Sequence, residues 1–460
     1  MKNLFVFSLI SALLCSLTEI NAQTYKDITT SNTGEVAGLL GADVDSIDSL
    51  VVRGPINEDD FKTMWHASFY GNLSVINLEN ANIEGGVIPK NAFCHLEEQL
   101  TPDWQYIDCI KLRRMILPEG VVEIGYGAFS YCIYLEDVNI PSTLRRLNNY
   151  SFSECISLKT DPLIFPEGMK EIASLAFQNC RSLTGEVVLP STIKKIGAGA
   201  FFSAKITKVN LPEGLEEIGD AAFYACRLKE VYIPNSCQLL SGASHFQLNY
   251  GLERIHLPEG ITAIPQNFLS CCLELSKTNI PTSVKSIDES AFFQCRSLEN
   301  LELPEGLENI GENALWYLDS LEQVEYPSTL KKIGKGSCDY WASLKRIYCK
   351  APVPPVCEGD QTTDKTPWGD FDSSSGLRPS NDIPVYVPIG TAELYRNAWG
   401  WNYFNNIIET DNFPGTTSIA GHVQEQEDLH PIFYDLTGKK INKPIKGRIY
   451  LRHGEKVLVK

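Results

Sequence analysis

Residues 118–140 read PEGVVEIGYGAFSYCIYLEDVNI, and the same frame recurs along the chain. A proline preceded by an aliphatic or aromatic residue stands at Pro118, Pro141, Pro166, Pro190, Pro212, Pro234, Pro258, Pro281, Pro304 and Pro327, at intervals of 22–25 residues. Eleven residues after most of these prolines comes Phe129, Phe152, Phe177, Phe201, Phe223 or Phe292. Phe246 and Phe268 sit one residue out of phase, and Leu315 and Cys338 take the place in the last two units. Three residues beyond the aromatic position stand Cys132, Cys155, Cys180, Cys226, Cys271 and Cys295, assigned to one inward slot where cysteine acts as a small buried hydrophobe. Self-similarity at this period means a stack of coils sharing one elongated core, since no single coil can bury its apolar groups alone.

Within one unit, Leu135, Val138 and Ile140 form an L-x-x-V-x-I ending whose last positions alternate in and out as a strand does. Pro141 ends that strand because it has no N–H to donate. Val122 and Ile124 read as a second apolar pair, Gly125 as the turn after it, and Ala128-Phe129 as a small residue and a ring aimed at the interior. The fold expected is a mainly β solenoid with short helices: a leucine-rich repeat right-handed superhelix with N- and C-terminal caps and a small C-terminal β module.

The run of LPEG, IG, AF, C, L and V-x-IP resembles the BspA-like, Treponema pallidum-type leucine-rich repeat family over about residues 116–348. That resemblance implies a bacterial, exported, largely cell-surface protein, associated with adhesion to host proteins and other cells and not with catalysis.

Composition agrees with a folded, soluble surface. Of 460 residues 43% are hydrophobic and 21% charged, and the net charge is −17. A net charge this acidic argues against nucleic acid as partner, which a basic stripe would be needed to bind. Residues 1–22 read as a secretory signal, with Lys2, an apolar run and a cut after Ala22. Leu14 precedes Cys15 where a lipid-attachment motif needs a small residue, and no later apolar run is long enough for a membrane helix. Expected localisation is therefore exported, secreted or at the cell surface, including the outer membrane.

Residues 23–115 read as an N-terminal cap of degenerate repeats. It includes a short helix at 34–40, a strand at 49–53, and a helix capped by Asn57 that runs to His66. Residues 349–410 read as a C-terminal cap behind a proline-rich loop, with a helix capped by Thr391 and Trp399, Trp401 and Phe404 covering the last coil. Two cysteine pairs off the inward slot, Cys349 with Cys357 and Cys94 with Cys109, are disulfide candidates in an exported chain. Residues 411–460 read as a polar linker and three strands, at 432–436, 447–451 and 456–459. Their Y-D-L-x-G-K opening and G-x-Y closing resemble C-terminal sorting modules of Bacteroidota exported proteins.

No catalytic motif, nucleotide loop or metal-ligand spacing occurs, so neither a cofactor nor an enzyme activity is expected. Asp43, Asp45 and Asp48 lack the glycine and closing glutamate of a calcium loop. The remaining candidate is a surface. Positions two and four before each proline should face outward from the strands, and they supply Asn139, Lys208, Asn210, Glu230, Tyr232, Arg254, His256, Lys277, Asn279 and Glu302 as candidate ligand-binding residues. Around Lys208, Tyr232, Arg254 and His256 an aromatic ring mixes with cations, as at interface centres. A protein ligand on host or neighbouring cells is expected, with a glycan as the alternative should exposed rings form platforms there.

Overall fold

The computed structural model describes residues 24–94, 110–360, 365–370 and 378–414, together with the backbone of four short strands between 433 and 458. The segment read as a secretory signal, Cys109 and residues 415–432 of the segment read as a linker lie outside the described residues. The chain divides into two compact units, Met1–Ile408 and Glu409–Lys460.

The first unit is a parallel β-solenoid. One ladder carries the V-x-I strands. It begins with Tyr25–Thr29, Ser49–Ile56, Val75–Asn77, Arg114–Ile116 and Asp137–Val138. It continues with Leu163–Ile164, Glu186–Val188 and Lys208–Asn210, then with Glu230–Tyr232, Arg254–His256 and Lys277–Thr278. A second ladder carries the short strand that follows each repeat proline by about five residues, for example Glu171–Ile172, Lys195–Ile196, Glu217–Ile218 and Leu239–Leu240. Its inward residues are Val121 and Ile124, both fully buried, whereas Val122 is exposed. Of the apolar pair read from the sequence, Ile124 thus enters the core and Val122 does not, Val121 taking the second inward position.

The two glycines of each unit divide the work differently from expectation. Gly120 and Gly214, in LPEG, hold φ near +101° and +104°, so they make the turn. Gly125 and Gly197, in IG, have ordinary φ values and serve close approach. A Cβ on Gly197 would lie 2.5 Å from the Ser174 nitrogen of the preceding coil. The next coil's hydroxyl clamps each LPEG turn: the Gly120 N–H donates to Thr143 Oγ1 (2.9 Å), which donates to the Val121 carbonyl (2.8 Å). Thr192, Ser236, Ser283 and Thr329 repeat that pair of bonds.

The third side, around the AF motif, is not strand. Residues two before and two after the phenylalanine adopt positive φ, as at Tyr150 (60°) and Glu154 (62°). Alternate N–H groups then point to the next coil: Tyr150 donates to Ser174, Phe152 to Ala176 and Glu154 to Gln178, at 2.8–3.2 Å. Left-handed backbone costs about 1 kcal/mol or more per residue, and these inter-coil bonds hold it in place.

Inside, seven phenylalanine rings form one stack: Phe93, Phe129, Phe152, Phe177, Phe201, Phe223 and Phe246, with centroids 5.0–5.6 Å apart and planes within 11°. Phe246 joins the stack because a one-residue insertion precedes it. Phe268 does not, and meets Phe246 edge-on at 75°. It occupies the alanine position, and Leu269, fully buried, fills the phenylalanine position.

The cysteine slot has a donor function. The thiols of Cys155, Cys180 and Cys226 reach back to the carbonyls of Phe129, Phe152 and Phe201, at 3.1–3.2 Å. In the coil after Pro258 the slot residue is Cys272, bonded to the Phe246 carbonyl at 3.3 Å, and the half-buried Cys271 stands beside it. The expectation of Cys271 was one residue off, because the phase had been taken from Phe268. Where the slot has no cysteine, Asn249 Nδ2 (2.8 Å) and Trp341 Nε1 (2.7 Å) make the same bond, to Phe223 and Leu315. Burial pushes the thiols of Cys155, Cys180, Cys226, Cys272 and Cys295 well above their ordinary range. Timed maleimide labelling followed by mass measurement should therefore leave these five thiols unmodified in the folded protein and modify them after unfolding. Rapid labelling of folded Cys180 would contradict the slot.

The ends are closed differently. At the start, helix Glu58–Phe69 is capped by Asn57 in a capping box with Asp60, as expected, but runs three residues further than His66. The Asp60 carboxylate also accepts the Gly34 and Val36 N–H groups at the start of helix Val36–Leu40. At the other end Trp341, Trp368, Trp401 and Tyr395 are fully buried, while Trp399 is only partly so. Thr391 does not cap helix Ala392–Asn397; its hydroxyl donates to the Pro388 carbonyl at 2.7 Å instead. Cys349 and Cys357 are separate thiols, not the disulfide expected. The proline-rich turn between them carries the chain from one ladder to the other, so Arg346–Cys349 and Val356–Cys357 belong to different sheets. Tyr395 Oη donates to Cys349 Sγ at 3.2 Å.

The second unit is an antiparallel sheet ordered Lys440–Ile441, Phe433–Tyr434, Ile449–Arg452, Glu455–Leu458. Lys440–Ile441 is a strand beyond the three expected, and two residues are too short to show alternation in sequence.

Candidate functional site

The outward column of the first ladder does not present ten equivalent side chains. Three are consumed by the stack itself. Asn210 Oδ1 accepts the Leu189 N–H (2.9 Å) while its Nδ2 donates to the Leu189 carbonyl (3.1 Å). Asn139 does the same for Leu117, and Asn279 for Leu257. The reason lies in the prolines. Each leucine carbonyl faces a proline one coil on, Pro141 for Leu117, Pro212 for Leu189 and Pro281 for Leu257, and so loses the N–H that a regular ladder would offer. Asparagine supplies both an acceptor and a donor at that break. Glu302 is exposed but lies in a coil without a strand in this ladder.

The middle of the column does converge. Glu230–Tyr232 pairs with Arg254–His256 in register, Glu230 opposite Arg254 and Tyr232 opposite His256. Strands about 4.8 Å apart bring the Tyr232 and His256 rings face to face, with centroids 4.7 Å apart and planes within 2°. Both residues are half-buried. Burial pushes the Tyr232 hydroxyl up from its usual range, with Glu213 adding to the effect. Beside the stack, Arg254 reaches Glu230 at 4.0 Å and Lys208 pairs with Glu186 at 2.8 Å. Lys277 lies opposite Arg254 on the next strand. The patch is thus an aromatic pair between exposed ion pairs that a partner's charges could exchange with, each contributing little to the fold.

Among the described residues no three His, Cys, Asp or Glu side chains converge as a metal site, and no helix is long and apolar enough to cross a membrane.

Comparison with known proteins agrees with this architecture. A leucine-rich repeat protein from Bacteroides ovatus is 24% identical over 72% of this chain and 88% of that one, with a TM-score of 0.52. A leucine-rich repeat protein of T. pallidum is 32% identical over 34% of this chain and 76% of that one, with a TM-score of 0.32. No protein with a curated description matches. The profile of the BspA type leucine-rich repeat region matches in six copies, over residues 102–186, 170–286 and 216–345. These matches cover more than half of the 460 residues, and the chain belongs to the BspA-type leucine-rich repeat family.

Proposed function

We propose that this protein is an exported binding protein that engages a protein on host or neighbouring cells through the face centred on Lys208, Tyr232, Arg254 and His256. The observation that carries the reading is the Tyr232–His256 stack, half-exposed and flanked by the Glu230–Arg254 and Lys208–Glu186 pairs. Aromatic rings set among guanidinium and carboxylate groups are what protein interfaces concentrate at their centres. The orientation of the rings supports a protein over a glycan. Sugars stack on open ring faces, and here each ring covers one face of the other. Membership of a repeat family built for macromolecular recognition supports the same reading, as does the absence of catalytic motifs from the sequence.

The test is binding of the chain from Gln23 onward to an array of extracellular-matrix and cell-surface proteins and glycans. A double variant, Tyr232→Ala with Arg254→Glu, should lose about tenfold or more in affinity for any protein captured, since central aromatic and arginine residues dominate such interfaces. Unchanged capture by a variant that still melts normally would refute the site. Capture of glycans alone would refute a protein ligand.

A further inference from the structure

Cations on this solenoid are commonly neutralised one coil away: Lys194 by Glu216, Lys195 by Glu217, Lys229 by Glu253 and Lys331 by Glu308. One row breaks that habit. Arg181, Lys205 and Arg227 each stand four residues after the aromatic position of consecutive coils, directly behind Cys180, Ala204 and Cys226. No carboxylate pairs with any of them among the described residues. Lys205 is half-buried, and its ammonium donates to the Ala225 carbonyl at 2.9 Å. Arg181 and Arg227 are exposed on either side of it. Burial, followed by the charges of Arg227 and Arg181, lowers the affinity of Lys205 for its proton. Three like charges at coil steps of about 4.8 Å, on a chain of net charge −17, constitute an unneutralised site.

We propose that the row formed by Arg181, Lys205 and Arg227 is a second docking surface, one that takes an acidic peptide segment of a protein partner. It lies off the Tyr232 face and stands independently of it. Several features select the occupant. Guanidinium groups bind carboxylates bidentately, and two of them flank the fixed ammonium. The row spans only about 10 Å by the coil spacing, and the rest of the surface is acidic, so a long polyanion would be repelled beyond the row. A short acidic stretch is not. Next to the row, Phe202 and Tyr224 stack at 4.5 Å with planes within 3°, and the exposed Tyr250 continues it by one coil. In that stack each ring covers one face of the other, which leaves less open ring surface for a polysaccharide to stack on.

The test uses the full chain and a fluorescent hexaglutamate peptide, read by anisotropy at low salt. Binding should be weakened about tenfold by Arg181→Gln with Arg227→Gln, as expected for loss of two exposed ion pairs. It should be unaffected by Tyr232→Ala, which separates this surface from the first. Added salt should weaken it further. No binding of the peptide, or equal binding by the double variant, would overturn the proposal. So would inorganic phosphate competing as well as the peptide, or a sulfated oligosaccharide binding the row more tightly than the peptide.

Discussion

Phe177→Ala is expected to lower the stability of the solenoid by about 3–5 kcal/mol. The ring is fully buried and lies between Phe152 at 5.3 Å and Phe201 at 5.5 Å, in nearly parallel planes. Its backbone N–H also joins the coils, donating to the Ala200 carbonyl of the next one at 2.8 Å. Removing the ring leaves a cavity in contact with two neighbouring coils, and stability in a solenoid rests on exactly such nearest-neighbour contacts. The half-buried Phe202, which follows it one coil later at the surface, is the control: Phe202→Ala should shift the denaturant midpoint far less. Equal midpoint shifts for the two variants would contradict the ring stack as the core of the molecule.

Acid should also weaken the fold, through His245. This imidazole occupies the position held by alanine in Ala128, Ala176, Ala200 and Ala222, is fully buried, and has no hydrogen-bond partner on either nitrogen at normal geometry. Burial pushes its pKa down to about 4; Asp220 and the nearby carbonyls of Ser241 and Ile218 offset this only in part. An unfolded histidine takes its proton near 6.5. Above that pH neither state is protonated and the stabilisation is complete. As the pH falls from about 6.5 towards 4, the unfolded chain binds a proton that the folded chain refuses, and about 3 kcal/mol is lost. Denaturation at a series of pH values should show this slope in the native chain and its loss in His245→Ala, whatever that variant's stability at neutral pH. An identical slope in both would remove His245 from the account.

Much of this was legible in the sequence because a solenoid repeats its physics. Spacing between prolines gave the coil length, and the outward alternation before each proline located the ladder. What stayed hidden were choices between adjacent residues. The phenylalanine spacing could not tell whether Phe268 had shifted or had been replaced, and only the inter-coil bonds show Leu269 in its place and Cys272 in the slot. The asparagines before Pro141, Pro212 and Pro281 looked like free surface groups. Their bonds to the preceding coil follow from the missing proline N–H, a signal present in the sequence but not used. The row at Arg181, Lys205 and Arg227 carries no strand alternation to mark it, because these residues lie just before the strands. The threonine and serine clamps on the LPEG turns were equally readable, as a hydroxyl at a fixed place after most repeat prolines.

The claim that the Tyr232 face binds a protein partner is tested most directly by hydrogen–deuterium exchange on the complex with a partner captured from the array. Backbone amides on both ladders are already bonded between coils, so a change on binding reports local shielding of openings. Slower exchange is expected over Lys208–Asn210, Glu230–Tyr232 and Arg254–His256. No change is expected over Lys195–Ile196, Glu217–Ile218 and Leu239–Leu240 on the second ladder. Protection confined to the second ladder, with the Tyr232 strands unaltered, would contradict the account.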